Sequence, residues 1–206
     1  MRCDAVRCAA CKDKACATGK DCTEITDVVK AEYASDSEVL KSLRVATHIE
    51  SRYYMQKTRV DELILYAQGM GYQKLGVAFC IGLAQEAATL CAILERDFEV
   101  SSVCCKLCGI DKAYFDLERL HADAVADEPK GEAMCNPIGQ ALILNRERTD
   151  LNIILGLCIG HDTLFTAYSE APVTTLAVKD RVLAHNPLGA LYSGYYLSKL
   201  REPERT

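Results

Sequence analysis

The chain contains no tryptophan, and that absence by itself says nothing about function. Other absences exclude more. The longest uncharged apolar run, Leu75 to Ala84, falls far short of a bilayer span and ends at Gln85 and Glu86. The first twenty residues mix cysteine with lysine, arginine and aspartate and hold no apolar targeting segment, so the expectation is a cytoplasmic protein. There is no basic excess: 24 Lys and Arg stand against 29 Asp and Glu, for a net charge of −5. Neutralising phosphates needs a basic face, so nucleic acid is not the expected partner. Neither a GxGxxG nor a GxxxxGK[ST] loop occurs, so bound nucleotide is not expected.

What is present is cysteine, twelve in 206 residues. A reducing cytosol disfavours structural disulfides. With half of its residues hydrophobic, the chain has enough apolar mass for one well-buried core and needs no covalent staples. Clustered cysteines in such a chain point to metal binding or redox chemistry.

Residues 1–24 stand apart as a cysteine-rich segment with few large apolar residues. They hold Cys3, Cys8, Cys11, Cys16 and Cys22. From Cys8 the spacing is C-x2-C-x4-C-x5-C, four thiols within fifteen residues. A CxxC pair lets two sulfurs converge on one metal, and two more from the following loop complete a four-sulfur shell. That shell suits an iron–sulfur cluster or zinc.

Residues 25–206 read as an α/β domain. Helices are expected after Asp36 or Ser37 and from about Val60 to Met70, with a stop at Gly69 to Gly71. Short apolar runs then alternate with helical stretches. KLGVAF (74–79), FEVSSV (98–103), NIILGL (152–157) and VTTLAV (173–178) read as strands. Helices are expected over 82–95, from about Pro137 to Arg146 and from near His161. Strands interleaved with helices predict βαβ units and a Rossmann-like, mainly parallel sheet flanked by helices.

Such sheets bind ligands at the carboxyl ends of their strands. Cys80 follows the first strand, Cys104 and Cys105 the second, with Cys108 one CxxC step on, and Cys158 follows the third. Cys135 precedes Asn136 and Pro137, a helix start, where backbone N–H groups and the helix dipole favour a thiolate. Cys80, Cys105, Cys108, Cys135 and Cys158 therefore form the candidate pool for a second metal or iron–sulfur centre at the carboxyl edge of the sheet. Cys91, mid-helix among Ala and Leu, reads as core packing. His161 follows Cys158 and is either a ligand, a proton donor or a structural residue of the helix start. Lys179, Asp180 and Arg181 follow the fourth strand and belong on the same edge, as binders of an anionic substrate or as a solvated ion-pair group. His185-Asn186-Pro187 reads as a capped turn, and His48 and His121 as solvated.

The stretches KLGVAFCIGL (74–83), MCNPIGQ (134–140), LGLCIGHDTLF (155–165) and APVTTLAVKDRVLAHNP (171–187) resemble a widespread domain family of unknown function. Its members are common in anaerobic bacteria and archaea and are described only as cysteine-rich metal-binding proteins. The resemblance covers nearly the whole chain and implies a metal-binding, iron–sulfur α/β protein. It brings no reaction and no catalytic role.

The expectation is thus an iron–sulfur protein with one or two 4Fe–4S-type clusters. Cys8, Cys11, Cys16 and Cys22 hold the first, which hands electrons to the inner centre. The partner is a redox protein or a small-molecule substrate. The rival expectation is a zinc-stabilised, thiol-rich binding or sensor protein, and a third is a thiol enzyme using Cys80 or Cys158 as nucleophile.

Overall fold

The structure is a computed structural model that describes residues 6–120 and 131–201. Cys3 and His121 lie outside the described residues. The chain divides into two compact units, residues 1–52 and 53–206. The sequence places a boundary after residue 24; the first unit takes in two helices beyond that point as well.

The first unit begins with the cysteine segment, built from two short 3₁₀ turns over Cys8–Ala10 and Ala15–Thr18. Lys14 and Gly19 flank the second turn in left-handed backbone. Helices α1 (Thr26–Ser35) and α2 (Ser37–Tyr53) follow. Asp36 separates them, and its Oδ1 accepts from the Glu38 N–H at 2.8 Å, which starts α2 where the sequence expects a cap. Helix α1 has no expected counterpart. None of its residues is buried, so no apolar stripe announced it.

The second unit opens with α3 (Arg59–Met70). Thr58 and Asp61 form a reciprocal capping box, and Gly71 closes the helix at φ +78°. Strand β1 (Lys74–Phe79), α4 (Ala84–Leu94) and β2 (Glu99–Cys104) come next, then α5 (Pro137–Glu147), β3 (Leu151–Leu157), α6 (His161–Tyr168) and β4 (Val173–Val178). Two short helices, α7 (Gly189–Tyr192) and α8 (Gly194–Arg201), end the described chain. The sheet is wholly parallel, in the order β2-β1-β3-β4. The second strand lies one residue later than expected, so Cys104 is its last residue and pairs with Phe79.

Strand alternation sends side chains to two core layers. Leu75, Val77, Leu151, Ile153 and Leu155 pack with α3 and α4 on one face. Ala78, Ile154 and Leu157 pack with Ala141 and Leu144 of α5 and Phe165 of α6 on the other. Gly76 in β1 makes room for the fully buried Asn152 of β3. A Cβ at Gly76 would lie 2.1 Å from Asn152 Oδ1. The Asn152 amide is held by Thr149 and Ser169, each at 2.7 Å, so this polar side chain is satisfied inside the core.

This strand order has a functional consequence. From β1 the chain steps outward to β2, and from β3 it steps the other way to β4. The reversal lies between β1 and β3. In open parallel sheets that is where helices diverge and leave a crevice at the carboxyl edge. Cys80 and Cys158 are the residues that leave these two central strands.

Candidate metal and anion site at the carboxyl edge

Backbone hydrogen bonds carry the sheet ladder past the strand ends and fix the edge. The Cys80 N–H donates to Leu155 O at 3.2 Å, Cys105 N–H to Phe79 O at 2.9 Å and Lys179 N–H to Leu157 O at 3.1 Å. The Asn136 N–H donates to Cys105 O at 2.7 Å, which pins the start of α5 to the end of β2. Asn136 also caps α5, its Oδ1 accepting from Gly139 N–H at 2.9 Å, with Pro137 in the first turn. The loop carrying Cys135 is thereby held beside Cys105. His161 and Asp162 both donate their N–H groups to Cys158 O, at 3.0 and 3.1 Å, closing the turn into α6.

Four of the sequence-expected ligands, Cys80, Cys105, Cys135 and Cys158, stand at this edge. Cys80 and Cys105 are buried, and Cys135 packs against the same apolar cluster. The Cys105 and Cys135 thiols lie close enough to shift each other's ionisation. Cys105 Sγ also accepts from the Ile81 N–H at 3.4 Å, just past Cys80. The Arg181 guanidinium donates from Nη2 to Cys158 Sγ at 3.1 Å. Cys108 stands outside this group, exposed on the next 3₁₀ turn at φ +67°. Cys91 packs, partly buried, against the α3/α4 core, as the sequence indicates.

The charges around these sulfurs are positive. The Cys135 thiol is pulled down to about 5, first by the Cys105 thiol, then by the charges of Lys106 and His161. The Cys105 thiol is pushed up, first by Cys135 and then by burial. The pair therefore favours sharing one proton. Arg181 is held above its ordinary value by Cys158 first, and also by Cys80 and Cys135, so all three sulfurs bear on one guanidinium.

Lys179 joins them through a missing side chain. A Cβ built on Gly82 would meet Lys179 Nζ at 3.1 Å and Cys80 Sγ at 3.9 Å, so ammonium and thiol flank the same small space. Carboxylates nearby are spent elsewhere. Asp180 Oδ1 accepts from the Val182 and Leu183 N–H groups, and Asp162 Oδ1 from Thr163 N–H. The imidazole of His185 accepts from Asp180 N–H through Nδ1 at 3.1 Å, so His185 closes a turn over 180–185, upstream of the His185-Asn186-Pro187 turn expected from the sequence.

The donor set suits a soft metal or an iron–sulfur cluster in kind, being four thiols in half-buried, cation-rich surroundings. In the arrangement described, no group of three or more His, Cys, Asp or Glu side chains among the described residues is set to hold a metal ion. In the first unit, Cys8, Cys11, Cys16 and Cys22 are all exposed. Cys11 Sγ donates to Asp13 Oδ1 at 3.2 Å and Cys22 Sγ to Lys20 O at 3.8 Å.

The sequence did not single out Lys106 or Gln140. Lys106 follows Cys105 directly, and its Nζ donates to Ala133 O. Gln140 is fully buried, and its Nε2 donates to Phe79 O at 3.2 Å and Val103 O at 2.7 Å. It joins the ends of β1 and β2 immediately before Cys80 and Cys104. A glutamine one helical turn before Leu144, on the apolar stripe of α5, is the signal that was there to be read. An open recess of about 460 Å³ on the α3/α4 side, lined by Val60, Leu90, Ile93, Leu155 and Leu176, contains no cysteine.

A family described as "Protein of unknown function (DUF1847)" matches residues 16–176. The chain belongs to this family. The match spans every cysteine of the sheet edge and begins at Cys16, after Cys8 and Cys11. The DUF1847 chain is also 54% identical over 198 residues to an uncharacterized protein, MJ0455, of Methanocaldococcus jannaschii, covering 96% of this chain and 99% of that relative. No solved structure matches it. Among the described residues, no helix is long and apolar enough to cross a membrane.

Proposed function

We propose that this protein is a thiolate-ligated iron–sulfur protein that transfers electrons or reduces a small molecule. The inner centre is held by Cys80, Cys105, Cys135 and Cys158 at the reversal point of the sheet. A second centre is held by Cys8, Cys11, Cys16 and Cys22. The observation that carries the reading is the gathering of four cysteines from the three connections after β1, β2 and β3 at one sheet edge, among Lys106, Lys179 and Arg181.

The inner site favours a redox centre over structural zinc. Structural zinc ties down loops that cannot hold themselves. These loops are already tied by the Cys80, Cys105, Asn136 and Lys179 backbone bonds. Surrounding cations also offset the negative charge of a thiolate-bound cluster and stabilise its more negative, reduced form. The zinc-stabilised sensor remains the second reading for the N-terminal cysteines, whose exposed turns have no buried residues of their own.

The test is metal and acid-labile sulfide analysis with EPR on anaerobically purified protein. Two cubane centres give about eight iron and eight sulfide per chain, falling to about half in Cys105→Ser or in Cys16→Ser. Zinc near one per chain without sulfide sinks the reading.

A further inference from the structure

We propose that the carboxyl edge binds a small anion, a carboxylate or tetrahedral oxyanion, between Lys179 and Arg181, and that this anion is the class of substrate presented to the thiol site. The inference deepens the iron–sulfur reading of the same edge and rests on it for what happens after binding.

Lys179 is half-buried at the end of β4, yet its ammonium has no carboxylate or carbonyl partner among the described residues. Its tip is not among the buried polar atoms left without a partner, so it faces the open edge and is free to pair with an arriving anion. Arg181 uses one N–H on Cys158 Sγ and keeps the rest of its fork for a planar or tetrahedral anion. A metal does not consume these charges. Four thiolates on a divalent or cluster dication leave about two negative charges, and three cations stand around them.

The space is built as well. Gly82 provides no side chain where Lys179 Nζ and Cys80 Sγ come together. Gly160, at φ +84°, has nothing within 4 Å of where its Cβ would stand, so the turn after Cys158 is open. Ile81 and Ile159, the residues following Cys80 and Cys158, are 54% and 94% exposed, so neither side chain fills this edge. Convergence on one thiol group at the sheet's reversal point fits a small ligand better than a broad acidic protein surface.

Isothermal titration of the anaerobically purified protein with oxalate, and separately with inorganic sulfate, tests this. The expected result is saturable binding of one anion per chain, weakened at least tenfold in Lys179→Gln and in Arg181→Gln and weakened by added chloride. Lys112→Gln, which removes a lysine already paired with Glu132 at 2.9 Å, leaves it unchanged. Tighter binding of oxalate or of sulfate tells carboxylate from oxyanion. No saturable binding of either, or binding indifferent to both edge substitutions, overturns the proposal. Circular dichroism confirms that the variants are folded. Iron and sulfide measured on the same samples keep the two readings separable. Anion binding without metal fails the iron–sulfur reading alone, and metal without anion binding fails this one alone.

Discussion

The side-chain amide of Gln140 donates to the carbonyl of Val103 at 2.7 Å, and from the same nitrogen to Phe79 O at 3.2 Å. One buried residue of α5 thereby joins the last turns of β1 and β2, just before the cysteines that leave them. Its Oε1 is buried without a hydrogen-bond partner among the described residues. A buried unpaired acceptor costs about 1–3 kcal/mol, and structures retain one where position matters more than stability.

Gln140→Leu removes both bonds and the orphan acceptor together, so its net cost is modest, about 1–2 kcal/mol, seen as a lower Tm. Gln140→Glu keeps the shape but puts a carboxylate against two carbonyl oxygens, and it is expected to be the worse of the two. Equal stability of Glu and Leu variants in thermal denaturation contradicts the clamp.

Metal-free protein has a pH dependence with a definite sign. The Cys135 thiol lies at about 5 in the folded chain and at about 8.5 in an unfolded one. Its stabilising contribution is lost as pH falls through 5, while the raised Cys105 thiol withdraws stability as pH climbs past the unfolded thiol value, so the pair stabilises most between the two. Alkylation mapped by mass spectrometry should find Cys135 reactive at pH 6 and half-protected near pH 5. Cys105→Ala removes the largest cause and moves that midpoint up. An ordinary thiol titration at Cys135 in the intact chain would refute the pairing with Cys105.

Two glycines near one another in sequence predict opposite outcomes. Gly76→Ala drives a methyl into Asn152 Oδ1, at 2.1 Å, and toward Leu144, at 2.9 Å, inside a packed core. Such overpacking costs about 1–3 kcal/mol. Gly82→Ala meets only the flexible tip of Lys179 at 3.1 Å. It should leave Tm nearly unchanged and weaken anion binding by pushing the ammonium aside. Denaturation and anion titration on both variants check the contrast.

The cysteines divide into those that matter for the inner centre and those that do not. Cys105→Ser and Cys158→Ser should each lose it, read as iron or zinc per chain. Cys91→Ala and Cys108→Ser should keep it, since Cys91 packs against the α3/α4 core and Cys108 stands exposed outside the thiol group. Loss of metal in Cys108→Ser with retention in Cys135→Ser would redraw the site.

Much of the fold was legible because its signals are local. KLGVAF and VTTLAV are apolar runs bounded by polar and turn residues, and they form β1 and β4 at the expected bounds. Thr58, Asp61 and Gly71 announce both ends of α3. Helix α1 was hidden because it buries nothing, and α7 and α8 because they too bury no residue and show no apolar stripe. FEVSSV slipped by one because Cys104 is as acceptable in a half-buried strand as Phe98, which instead packs into the α3/α4 core.

The sequence alone determined that cysteines leave three strands, that a helix begins beside Cys135, and that cations follow β4. These are matters of spacing along one chain. Only the tertiary structure decided that β1 and β3 lie side by side at the reversal, that Cys105 meets Cys135 while Cys108 stays outside, and that Arg181 reaches back 23 residues to Cys158. Strand order and side-chain direction depend on which surfaces pack together, and no local pattern of residues encodes that.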